Sequence, residues 1–151
     1  MKAIIQRVSS AKVTVDGSTV GEIGQGFMIL LGVEQGDEER DAFALADKIA
    51  VLRIFTDEND KMNLSLLDVG GSALVISNFT LCADCSHGRR PSFIAAARPE
   101  TAEPLYELFC QRLLQNGVGR VEKGIFGADM KVTLTNDGPV TIDINSKDLK
   151  R

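Results

Sequence analysis

The sequence predicts an α+β fold, a single domain over residues 1–151 in which a curved, barrel-like, mostly antiparallel sheet carries two main helices. Three observations lead there. Both ends of the chain alternate apolar and polar residues with period two, as in "KAIIQRV" and "PVTIDIN". Two interior segments place apolar residues at helical spacing. No repeat, linker or low-complexity stretch divides what lies between, and 151 residues bury a real core without a second domain.

In chain order, "KAIIQRV" and "AKVTVDG" read as two strand segments interrupted by a bulge or bend at Ser9-Ser10. "DGST" then turns the chain into "VGEIGQGFMILLGVE", whose apolar run from Phe27 to Val33 predicts a central strand. Asp37 is placed to cap a helix with Glu38 and Glu39 in its first turn and Ala42, Leu45, Ala46, Ile49 and Ala50 on its apolar face. "LRIFTDENDKMNLSLLDVGG" predicts a short strand, a polar turn and an irregular piece ending at Gly70-Gly71; "SALVISNFTL" predicts another strand. A second helix is expected from about Glu100, with Pro104 early in it, Leu105, Leu108, Phe109 and Leu113 on one face, and Asn116-Gly117 as its stop. Three β segments follow: "GRVEKGIF", "DMKVTLTN" and "PVTIDIN".

Between the last two lies "NDGPVT", which admits two readings. Asp-Gly followed by proline is a strong hairpin signal. A Gly-Pro pair also presents fixed backbone carbonyls with no side chain in the way, and its peptide bond can be held cis.

Charge and composition narrow the function. The formal charge is -4 and the pI near 5, which argues against a protein that coats nucleic acid nonspecifically, although Arg89 and Arg90 in "HGRRPSF" and the C-terminal "SKDLKR" are local basic spots suited to a few phosphates. No run is apolar enough to cross a bilayer, and the first residues alternate like a strand where a signal peptide would be continuously apolar, so a cytoplasmic location and no membrane partner are expected. Cys82, Cys85 and Cys110 form an odd set that suits a reducing compartment. With the single histidine, His87, they offer four candidate zinc ligands. Cys110 stands inside a helical pattern, however, and a structural site wants a second closely spaced ligand pair, so no metal and no cofactor are expected. "SHGRRP" after Cys85 is a turn where redox chemistry would want a helix start.

No Ser-His-Asp, Cys-His, Walker, "GxSxG" or H-E-x-x-H arrangement is present. "SNFTL", Ser77 to Leu81, sets hydroxyls at the end of a strand, where an active site can be built.

"SNFTLCAD" followed by "GRRPSF", and "NDGPVT" near the end of a chain that begins "MKAIIQRV", resemble the D-aminoacyl-tRNA deacylases, the chiral-proofreading hydrolases of translation. The resemblance covers essentially the whole length, with Asn78 where the family usually has Gln. It implies an enzyme that cleaves the ester of D-aminoacyl-tRNA, and of mischarged glycyl-tRNA, at the 3′-terminal adenosine. It implies a homodimer in which a cis Gly138-Pro139 pair reaches the partner's Ser77 to Leu81 motif and excludes L-side chains by collision. Ser77, Asn78, Phe79 and Thr80 are then the catalytic positions, with backbone N–H groups near Phe79 and Thr80 on the oxyanion and the RNA 2′-OH assisting. Leu81, Gly138, Pro139 and Val140 bind substrate and select its chirality, and Arg7 holds the Gly-Pro segment. Thr80 without a base is a poor nucleophile and is given a positioning role. Two other readings stand beside this one: a small-molecule esterase using Thr80 or Ser77, and a non-catalytic nucleic-acid-binding module on the same fold.

Overall fold

The structure, a computed structural model, describes residues 1–150. Its strands and helices are β1 (Lys2–Val15), β2 (Ser18–Ile23), β3 (Gly26–Gly32), α1 (Glu39–Ala50), β4 (Phe55–Thr56), β5 (Met62–Leu64), β6 (Ser72–Ser77), α2 (Pro99–Gln115), β7 (Val121–Lys123) and β8 (Lys131–Asn145). β1 pairs antiparallel with β3 through its first half, with β2 through its second half and with β8 along its other edge. β3 then pairs parallel with β6, and β6 with β7. Parallel neighbours cannot be joined by a hairpin, and the two crossovers they require carry α1 and α2. The sheet curls until β2 lies across β6 and β7: a Cβ on Gly21 would sit 2.7 Å from the Lys123 carbonyl oxygen, so only glycine admits this approach.

Two apolar clusters follow from strand alternation. Phe27, Ile29, Leu31, Ala73 and Val75 face the helices, while Met28, Leu74 and Ile76 face the inside of the curl. β3 is thus buried on both faces, which explains its unbroken apolar run. In β1, Ala3 and Ile5 face the helices, whereas Val8, Ala11 and Val13 face the interior of the curl. The three-residue step from Val8 to Ala11 is one more than alternation allows, and the ladder with β8 shifts there. The expected break at Ser9-Ser10 is therefore a bulge inside one strand.

Other expectations are corrected. "NDGPVT" is no hairpin, because β8 runs through it as one strand whose partner is β1. Asp37 does not cap α1; its buried carboxylate accepts from the Met1 ammonium and from the Glu34 N–H, each at 2.7 Å, a stronger demand than a helix start makes. Glu38 stands at the cap position, and its N–H donates to Asp41 at 2.8 Å. The strand expected through Leu81 stops at Ser77, "GRVEKGIF" pairs only over Val121–Lys123, and α2 starts one residue earlier than expected, on Pro99.

Candidate active site

At the end of β6 the chain leaves the sheet. The Asn78 N–H still donates to the Leu31 carbonyl at 2.8 Å, after which Phe79–Cys82 form a 3₁₀ turn. The Asn78 side chain caps this turn: its Oδ1 accepts from the Thr80 N–H at 3.3 Å and from the Thr80 hydroxyl. Gly32, on the neighbouring strand, makes room for the turn. A Cβ there would lie 3.0 Å from Leu81 Cβ and 3.1 Å from the Asn78 carbonyl oxygen.

Ser77, Asn78 and Phe79 form part of the wall of a cavity of about 670 Å³, completed by side chains that include Phe93, Tyr106 and Phe126. Phe79 is 58% exposed and meets Phe93 edge-to-face at 5.2 Å, so the turn and the loop that follows it hold each other at the cavity mouth. Arg98 and Tyr106 are the only ionisable side chains on this wall among the described residues. The Tyr106 hydroxyl is buried and donates to the Val75 carbonyl at 2.7 Å, and burial raises its pKa far above the usual tyrosine range. It is no base at neutral pH. Thr80 is exposed and Leu81 half-buried, and neither lines the cavity.

The second motif lies elsewhere on the chain. From Gln6 to Val8, β1 advances two residues, while its partners on β8 run from Thr141 to Asn136, five residues. Asp137, Gly138, Pro139 and Val140 therefore stand opposite Arg7 alone and are pushed out of the ladder. The Gly138-Pro139 bond is cis. Gly138 has φ +133°, and a Cβ on it would meet Val140 at 2.9 Å, so the position admits only glycine. Arg7 is buried at 7% exposure, and its guanidinium donates to the Asp137 carbonyl at 2.9 Å and to the Ile54 carbonyl at 2.7 Å. Gly138 and Pro139 are exposed and form no part of the cavity wall, while the Val140 side chain is buried in the helix-facing core.

The candidate metal ligands are scattered in kind. The buried Cys82 thiol donates to the Val33 carbonyl at 3.5 Å, and burial raises its pKa; burial also pushes Cys110 up to about 12. Cys85 and His87 lie exposed on the loop after the turn. Among the described residues, no group of three or more His, Cys, Asp and Glu side chains is arranged to hold a metal ion.

Sequence reasoning missed Gly32, Phe93, Tyr106, Phe126 and Arg98. Gly32 had one signal, a glycine ending an apolar strand; the others read as core or surface until the cavity joined them.

Comparison with known proteins gives one consistent match. The family model for D-Tyr-tRNA(Tyr) deacylase matches residues 4–145. A D-aminoacyl-tRNA deacylase of Thermus aquaticus is 58% identical over 148 residues, covering 98% of this chain and 97% of that one. A D-aminoacyl-tRNA deacylase of Pelobacter propionicus is 60% identical over 141 residues, covering 93% and 97%. Among solved structures, a protein described as a c-Myc DNA unwinding element binding protein superposes with a TM-score of 0.90 at 38% identity, covering 96% of this chain and 98% of that one. With the family matched across nearly the whole sheet, and both extruded backbone segments inside the matched range, this chain belongs to the D-Tyr-tRNA(Tyr) deacylase family of hydrolases.

Proposed function

We propose that this chain proofreads chirality in translation: it hydrolyses the ester between a D-amino acid and the 3′-terminal adenosine of tRNA, releasing both. The observation that carries the reading is the family match over residues 4–145. Water attacks the ester carbonyl carbon, the bond to the ribose oxygen breaks, and that oxygen takes up a proton. The cavity wall offers no side chain that is a base at neutral pH, and the RNA 2′-OH assists by relaying the proton from the attacking water to the leaving 3′ oxygen. The Phe79 and Thr80 N–H groups receive the negative charge that develops on the carbonyl oxygen; Ser77 ends the strand that carries their turn, and the Asn78 side chain, which holds the Thr80 N–H, yields it to the substrate.

Selection comes from Gly138-Pro139 acting in trans. The pair is exposed and lies outside the cavity of its own chain, which is consistent with the two-fold homodimer that the family resemblance implies, in which each copy offers it to the partner's Ser77 to Leu81. A rigid backbone wedge collides with an L-side chain and leaves a D-side chain free to point outward; glycine has nothing to exclude, so glycyl-tRNA is also cleaved. Translation places this activity in the cytoplasm.

The similarity to a DNA unwinding element binding protein favours a second reading, nucleic-acid binding without catalysis. Matched D- and L-aminoacyl-tRNAs decide between them. Under the first reading the D-ester is hydrolysed, the L-ester is spared, and a 3′-charged tRNA ending in 2′-deoxyadenosine is nearly inert. Binding with no turnover of either ester would establish the second reading, and cleavage of simple esters at the same rate would point to a small-molecule esterase.

A further inference from the structure

The loop that leaves the candidate site carries a charge pattern that the reaction just described does not use. From Ala83 to Arg98 it holds three arginines, Arg89, Arg90 and Arg98, against a single carboxylate, Asp84, in a chain whose net charge is -4. The loop is pinned at its base. Asp84 and Ser92 exchange backbone hydrogen bonds of 2.8 and 2.9 Å, Phe93 packs on Phe79, and the returning arm is held along the end of β3 by bonds from Gln35 to Ala95 and from Ala97 to Val33, both 2.9 Å. The tip between Asp84 and Ser92 is exposed throughout, His87, Arg89 and Arg90 included. Neither Arg89 nor Arg90 has a hydrogen bond or ion pair among the described residues. The one nearby carboxylate is already engaged: Asp84 Oδ1 accepts from the Ser86 N–H at 2.9 Å. Arg98 is on the cavity wall itself, with only a loose surface pairing to Glu100 at 3.6 Å.

Two unpaired guanidiniums on the tip of a loop whose base, at Phe93, lines the cavity fit the backbone of a single strand whose last nucleoside enters that cavity. We propose that Arg89 and Arg90 bind phosphates of the single-stranded 3′ end of the RNA substrate, an inference that rests on the deacylase reading for the identity of that strand. Arginine suits the task because its planar fork engages phosphate oxygens in pairs. The tip supplies affinity and direction of approach, and takes no part in the ester chemistry.

The test uses the full chain, the double variant Arg89→Gln/Arg90→Gln and two substrates, D-aminoacyl-tRNA and the corresponding D-aminoacyl-adenosine, which has no phosphate. The variant is expected to hydrolyse the adenosine ester like wild type and to keep kcat on tRNA, with a raised KM. Two lost phosphate contacts at about 0.7 each make its salt slope shallower by about 1.4, so between 50 and 200 mM salt the wild type loses about sevenfold more in kcat/KM than the variant does. Arg89→Lys/Arg90→Lys should restore most of the slope. An unchanged KM and slope on tRNA overturn the proposal, as does an equal loss on both substrates, which would mean that the arginines act through the fold. Should wild type cleave neither ester, the deacylase reading falls, and the salt slope of uncharged tRNA binding decides the arginines on its own: shallower in the variant supports them, equal overturns them.

Discussion

Arg7 and Asp137 are joined twice: the Arg7 Nε donates to the Asp137 main-chain carbonyl at 2.9 Å and lies 3.5 Å from the Asp137 carboxylate. The same guanidinium reaches the Ile54 carbonyl, so one buried side chain ties the extruded part of β8 to the chain just before β4. The Gly138-Pro139 segment is thus stiffened by this tie as well as by proline.

Arg7→Ala is therefore expected to loosen the Gly138-Pro139 segment and the fold together. Removing charged hydrogen bonds to two carbonyls costs about 1.5–3 kcal/mol of stability. On matched substrates, D-aminoacyl-tRNA turnover should fall while the ratio of L to D turnover rises. Denaturant midpoints and the two rates measure both effects, and a stable variant with an unchanged ratio would show that Arg7 serves the fold alone.

Gly32→Ala tests the seat of the Phe79–Cys82 turn and, with it, the role proposed for that turn. The added methyl would press on Leu81 Cβ and the Asn78 carbonyl oxygen at 3.0–3.1 Å, and the turn must give by a few tenths of an ångström. A displacement of about 1 Å at a reacting group costs about a hundredfold in rate, so a drop in kcat of about tenfold with little change in KM is expected. Loss in KM alone would mean that the turn only binds.

Asn78→Gln should remove the cap on Thr80, because a side chain one methylene longer does not close the short turn made by Asn78 Oδ1. Freeing the Thr80 N–H of one hydrogen bond, worth about 1 kcal/mol, should raise kcat about fivefold. Asn78→Asp should act in the opposite sense, holding the cap with a charge beside the developing oxyanion, and should lower kcat by about a hundredfold. A rate for Asn78→Gln well below wild type would show that the cap itself shapes the active turn.

Between the helices, Arg112 donates in bidentate fashion to Asp47 at 2.6 and 2.9 Å, and the Asn116 amide adds a third bond at 2.8 Å. The Arg112 hydrogen bond holds the Asp47 carboxyl below its ordinary range despite some desolvation. A carboxylate whose folded pKa is depressed adds stability that is fully present above its unfolded pKa and is lost as pH falls through the folded value. Asp47→Asn should therefore cost stability at neutral pH, and the gap to wild type should close below about pH 4, the ordinary carboxylate value. Half-exposed partners keep the effect to about 0.5–1 kcal/mol. Melting temperatures across the acid limb measure it, and a gap that persists at the acid end would assign the loss to packing.

Treatment with EDTA is expected to leave the rate unchanged, and Cys85→Ser and His87→Ala to change kcat/KM by less than about twofold, since a protonated, hydrogen-bonded Cys82 is a poor metal ligand. Elemental analysis finding one zinc per chain would contradict this.

How far the sequence could be read depended on the range of the forces involved. Periodicity exposed α1 through Ala42, Leu45 and Ile49, and β3 through its continuous apolar run, because burial of one face or both leaves a local trace. Both segments of the candidate site, the turn that begins within "SNFTL" and the cis Gly138-Pro139 pair in "NDGPVT", were marked through resemblance. The form of the second was open locally: Asp-Gly-Pro has the chemistry of a hairpin as well as of a cis pair, and only its long-range pairing with β1 decides between them and reveals three surplus residues opposite Arg7. Asp37 failed as a cap for a similar reason, since its partner is the Met1 ammonium, far away in sequence.

The pairing of β1 with β8 also sets an order of events during synthesis. The strand made first finds its longest partner in the one made last, with more than a hundred residues of intervening chain to be closed, an arrangement that makes folding slow. Until residues 131–145 have left the ribosome, β1 presents an open edge along its whole length and the Arg7 guanidinium has no Asp137 carbonyl to meet. A nascent chain is then prone to aggregation, and the Arg7-held Gly138-Pro139 segment takes its place only with the completed sheet, so a truncated product of interrupted translation is left without it.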